Sequence, residues 1–281
     1  GDLSRLEIEG LSFRGTLKAN DLLAKETSIN IELESAPIPA KKINTLAERL
    51  SNPESTPVEF TSGQIEKISI HLKGIVVSNG NPLKEVVIKS GFEIENLEIS
   101  IPKIKKLGSV PLYDIEANGV WEDGILNYKI NGMLWNGTIQ SNLVVNLPDL
   151  LRGSLTGTYN SETKFDELDF SLIRFNSLDK WTPVTGTANG FIKTQSSLNK
   201  DIRTYGKLEI NDLSLKHEIP YTAKQVTFSF SKKSPYQTQA RVQFNDLQLN
   251  NILLSSVSSI LKISPEKFIF NSGRIVPPNG I

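Results

Sequence analysis

Leu208–Leu215 reads LEINDLSL. Leu208 and Ile210 are two positions apart, as are Leu213 and Leu215, but Ile210 and Leu213 are three apart. In an unbroken strand the pairs would point to opposite faces, because side chains alternate along the chain. A bulge or kink at the Asp position returns both pairs to one face. The pattern is apolar-x-apolar-x, then Gly, Asn or Asp, then Leu-x-apolar. It recurs at Leu6–Phe13 (LEIEGLSF), Phe92–Ile99 (FEIENLEI) and Val242–Leu249 (VQFNDLQL). Spacing between the copies is irregular, so they do not form a strict solenoid repeat.

Working outward, two-residue alternation dominates. It runs through Ile65–Leu72 (IEKISIHL), Gly137–Leu147 (GTIQSNLVVNL), Thr204–Leu215 and Tyr221–Phe230 (YTAKQVTFSF). Such alternation describes strands with one buried face. Asn-Gly or Asp-Gly pairs punctuate it at Asn79, Asn118, Asp123, Asn131, Asn136 and Asn189, and each is expected to make a hairpin turn. The fold class expected is all-β and mainly antiparallel: an elongated, curved meander or an open sandwich, with one or two short helices. Ala40–Leu50 (AKKINTLAERL) follows Pro39 and places Ile43, Leu46, Ala47 and Leu50 on one helical face. Pro148–Arg152 reads as a single turn and Ser255–Lys262 (SSVSSILK) as a short helix. A loose division gives two β-rich halves, 1–150 and 151–281.

With 31 basic and 31 acidic residues the formal charge is zero, which gives no general attraction to nucleic acid or anionic membrane. No cysteine is present, which removes disulfides, thiolate metal sites and a Cys nucleophile. No apolar run is long enough for a spanning helix. Gly1 and the open ending Pro277–Ile281 read as a piece of a longer protein whose membrane anchor lies outside it.

The chemistry-bearing residues are few. His71 and His217 read as solvent-facing strand residues with no partners for a triad or a metal. The acidic stretch Glu162–Asp169 lacks calcium-loop spacing. Glu122 and Asp123 beside Trp121 suggest a sugar site, but packing explains Trp121 and Trp135 more simply. Trp181 is the third aromatic a carbohydrate module would need. No P-loop, dinucleotide loop or Gly-x-Ser-x-Gly elbow is present. The reading is non-enzymatic, with no catalytic residue, no metal and no cofactor.

Val184–Leu215 (VTGTANGFIKTQSSLNKDIRTYGKLEINDLSL) resembles the repeated unit of the AsmA-like bacterial envelope proteins, the TamB, YdbH and YhdP relatives. Leu150–Thr158 (LLRGSLTGT), Phe60–Leu72 (FTSGQIEKISIHL) and Gly1–Ile31 are similar in style, and a type II secretion protein N is similar in the same diffuse way. The resemblance implies a periplasmic, membrane-anchored domain that serves outer-membrane biogenesis or lipid transport through an apolar sheet face. Its expected partners are phospholipid or another acyl-chain lipid, and envelope proteins. Ile68, Ile70, Ile94, Leu97, Ile99, Leu208, Ile210, Leu213 and Leu215 are the candidates for the groove, or equally for a closed core. The alternative is a β-sandwich interaction module, a secretion component or adhesin that needs no groove.

Overall fold

The computed structural model describes residues 2–8, 10–20, 25–50, 59–77, 84–100, 110–146, 157–173, 184–197, 203–215, 220–234, 237–263 and 268–278. Strand accounts for 87% of them, as open antiparallel sheet with almost no helix. The chain divides into two compact units. The first holds most of residues 1–133 with 142–157, and the second holds 134–141 and 158–281.

In the first unit, β1 (Asp2–Ile8), β2 (Leu11–Asn20) and β3 (Glu26–Ser35) form consecutive antiparallel ladders. The chain then leaves the sheet through β4 (Ile38–Pro39) and helix α1 (Ala40–Leu50). It returns as β5 (Glu59–Ile65) and β6 (Lys67–Val77). β6 pairs with β3, and the 17-residue β7 (Lys84–Ser100) pairs with both β6 and β5. β8 (Val110–Glu122) pairs along β7, and β9 (Ile125–Leu134) follows across a turn. Helix α1 forms as expected after Pro39, whose ring cannot donate a backbone hydrogen bond but suits a helix start. Asn44 holds α1 to the sheet. Its Nδ2 donates to Phe60 O at 2.7 Å, and Phe60 N donates to its Oδ1 at 2.9 Å. The side chains of Leu46, Ala47 and Leu50 lie outside the described residues, as does the turn expected at Pro148–Arg152.

The second unit contains the start of β10 (Gly137–Asn146) and then a plain meander. The meander runs β11 (Thr158–Asp169), β12 (Val184–Ser197), β13 (Arg203–Leu215), β14 (Tyr221–Ser234), β15 (Gln237–Leu249), β16 (Ile252–Ile263) and β17 (Phe268–Val276). Each strand is antiparallel to the next. The short helix expected over Ser255–Lys262 is instead the body of β16. Serines are poor helix-interior residues, and ladders to β15 and β17 satisfy this segment on both sides. A one-turn 3-10 segment, Phe170–Leu172, is capped by Asp169, whose carboxylate accepts from Ser171 N at 2.9 Å.

Two of the five described Gly pairs lie at turns. Asp123 and Gly124 take φ of 48° and 79° between β8 and β9, and Trp135 and Asn136 take 47° and 60° before β10. Asn118-Gly119, Asn131-Gly132 and Asn189-Gly190 lie inside strands, so the hairpins expected there do not form. Two of these glycines make room for a neighbouring side chain. The Tyr128 ring covers Gly119, and the Ile115 side chain covers Gly132. Asn79 lies outside the described residues.

The reset of the alternation is a backbone event. Asp212 and Asp246 occupy the left-handed region at φ of 52° and 50°, where Asp is among the few tolerated residues. Toward β14 register is unbroken across Asp212, where Ile210 faces Val226 and Leu213 faces Ala223. Phe244 likewise faces Val226, and Leu247 faces Ala223. β13, β14 and β15 therefore change phase together. Toward β12 register shifts at this level, with Thr185 facing Ser214 and Thr187 facing Asn211. In the Phe92–Ile99 copy the left-handed residue is Asp114 of β8, opposite Glu95. The Leu6–Phe13 copy differs again. Gly10, at φ 76°, belongs to the hairpin turn between β1 and β2, and the chain folds back rather than kinking.

Candidate functional site

The eight candidate residues whose side chains are described fall on one face within their own unit. In the first unit Ile68 pairs with Phe92, Ile70 with Leu33, and Ile94, Leu97 and Ile99 with Ile115, Leu112 and Val110. In the second, Leu208, Ile210, Leu213 and Leu215 pair with Phe228, Val226, Ala223 and Tyr221. The residues between them, such as Lys207, Glu209, Ser229 and Gln243, lie on the other face.

The same pattern meets different surroundings in the two units. Ile94 and Leu97, the latter 1% exposed, are sealed in a cluster with Ile115 and Ala40 of α1, against which Ile43, Phe60 and Ile65 pack. Ile68, Ile70 and Ile99 are half-buried. In the second unit Leu213, Ala223, Val226 and Leu247 are the buried members of a cluster completed by half-buried residues, including Ile210, Tyr221, Val242 and Phe244. Among the described residues, all of its members come from the four neighbouring strands β13–β16, and none from a facing layer. Leu208, Phe228 and Phe230 continue the face and are also half-buried. Phe230 lays its ring over Gly206, whose missing side chain admits it. The side chain of Leu215 lies outside the described residues.

Burial raises the Tyr221 hydroxyl above its ordinary value near 10. Tyr128 is raised in the same way, with its hydrogen bond to Ser90 acting in the opposite sense. Both phenols thus remain neutral donors well into alkaline solution.

The opposite face carries mixed charge. Lys193 meets Glu162 at 3.2 Å and lies 5.7 Å from the Phe191 ring centroid, and Lys207 pairs with Glu209. On the first unit a concave surface of about 750 Å³ is lined by Arg14, Glu32, Glu34, His71 and Lys89 among others. Glu34 is paired with Lys67 at 3.0 Å, and His71 Nε2 lies 2.6 Å from Asn30 Oδ1 and 3.7 Å from Glu32. These residues are far apart in sequence and in four strands, so alternation alone gave no sign of their meeting. Among the described residues no three His, Asp or Glu side chains are grouped to hold a metal.

Trp121 is packed into the apolar face beside Ile88 at 6% exposure, which removes its ring from sugar stacking. Its buried indole N–H has no hydrogen-bond partner. Trp135 stands at a turn, and Trp181 and His217 lie outside the described residues. Glu162–Asp169 is strand β11, with a bulge at Asp166–Glu167 where Glu167 N donates to Asn189 Oδ1 at 2.7 Å.

No family profile, curated protein or solved structure matches the chain.

Proposed function

We propose that this chain is a non-catalytic module of the bacterial envelope that holds acyl-chain lipid against the apolar face of its sheet in the periplasm. One observation carries the reading. The cluster on β13–β16 is built from a single side of neighbouring strands, and Ile210, Val242 and Phe244 remain half-buried within it. A contiguous apolar surface left open to solvent is the kind of patch that marks a binding site. The AsmA-like character of Val184–Leu215 supports the same reading and supplies its envelope setting.

The test is photocrosslinking in bacterial cells with benzoylphenylalanine at Phe228, on the apolar side, and at Ser229, on the polar side. Lipid adducts at 228 and not at 229, identified by mass spectrometry, are expected. Protein adducts at 228 without lipid would instead favour an interaction module.

A further inference from the structure

The apolar face of the second unit has two chemically different ends. Outside the kink row, Lys232 is the one charged residue that register places on this face among the described parts of β11–β17. Lys232 pairs with Thr204, and Thr204 pairs with Thr194, whose Oγ1 lies 3.4 Å from that of Thr204. All three side chains are half-buried. Lys232 has no ion-pair partner among the described residues. On the opposite face Lys193 and Lys207 are matched to glutamates, while Lys164 and Lys262 stand there among other charged residues, so what sets Lys232 apart is the apolar face it sits on.

From this row the face turns apolar at once. Gly206 and Phe230 come next, then Leu208 and Phe228, Ile210 and Val226, and beyond the kink Leu213 and Ala223. From Phe230 to Tyr221 is nine steps along β14, about 30 Å at 3.3 Å per residue. One leaflet of bilayer hydrocarbon is about 15 Å deep, half of the ~30 Å core. The strip is therefore long enough for an acyl chain. An ammonium with two hydroxyls stands at one end of it, with no other charge on this end of the face among the described residues.

We infer that this unit holds an anionic phospholipid in one orientation, with its phosphate at Lys232 and the Thr194–Thr204 hydroxyls and its acyl chains directed toward Tyr221. The inference rests on the lipid-binding reading above and adds a headgroup class and a polarity to it. An ammonium at the edge of an apolar surface is poorly solvated and attracts a phosphate more strongly than a fully exposed lysine does. The hydroxyls donate the remaining hydrogen bonds.

The full chain is loaded separately with dioleoylphosphatidylglycerol and with uncharged dioleoylglycerol, and retained lipid is measured by native mass spectrometry. Lys232→Gln is expected to lower phosphatidylglycerol retention roughly tenfold, the loss of one charge-assisted contact, and to leave dioleoylglycerol unchanged. Lys232→Arg retains both lipids. Arg241→Gln, which removes a cation from the polar face, changes neither. Equal losses in Lys232→Gln and Arg241→Gln, or no loss in Lys232→Gln, overturn the headgroup assignment. If Phe228→Asp still abolishes retention of both lipids in that case, the lipid-binding reading survives without it. A wild-type chain that retains neither lipid rejects both.

Discussion

Leu97 and Leu213 occupy the same position of the same eight-residue pattern, yet they live in different surroundings. Leu97 lies beneath α1 at 1% exposure, while Leu213, at 8%, is screened by neighbours on its own side of the sheet. The pattern therefore specifies which way a leucine points, and a separate element decides whether it becomes sealed core. In the first unit that element is an eleven-residue helix pinned by Asn44; among the described residues of the second unit no comparable helix occurs.

Breaking this contrast at its strongest point has the largest expected effect. Leu97→Ala leaves a cavity under the helix and should cost about 3–4 kcal/mol in urea unfolding followed by circular dichroism. Leu208→Ala, on the half-buried face, should cost about 1–2 kcal/mol, because neighbours and water fill the gap and less transfer energy is lost. Equal losses at the two sites would show that both faces are equally sealed.

The kink gives an intermediate effect. Asp212→Val places a β-branched residue at φ 52° and should cost about 1–3 kcal/mol, whereas Asp212→Gly should be nearly neutral. Thermal melts of the two variants sharpen the point, since a purely electrostatic role for Asp212 would make both equally damaging.

The smallest effect is the titration of the two raised phenols. Each is held neutral in the folded chain, so its contribution is complete below pH 10 and is lost as pH rises through the elevated folded value. Absorbance near 295 nm should show both ionising above the free tyrosine value, and Tyr128→Phe and Tyr221→Phe should each remove one late step.

How much of this was legible in the sequence depends on the residue. Leu208, Ile210 and Leu213 declared their shared face through spacing, because one left-handed residue at Asp212 suffices to bring them together. The location of the kink was less legible. At Phe92–Ile99 the conformation belongs to Asp114 on the adjacent strand, since either partner of a ladder can carry it. At Leu6–Phe13 a hairpin meets the same spacing by another geometry. Glycine was ambiguous for a similar reason: a missing side chain serves a turn at Gly124 and a covering ring at Gly119, and local sequence does not distinguish them. The meeting of Arg14, Glu32, His71 and Lys89 depends on the pairing order of β2, β3, β6 and β7, which period-two patterning does not encode.

The matched kinks at Asp212 and Asp246 have a consequence for how such a molecule can grow. Because β13, β14 and β15 change phase at one shared level, each leaves its edge in step with the next, whereas the ladders of β12 to β13 and to β11 shift register. Further hairpins of the same kind could be spliced between existing ones without disturbing the residues on either side. The width of the greasy surface would then be set by gene length alone, one pair of strands at a time.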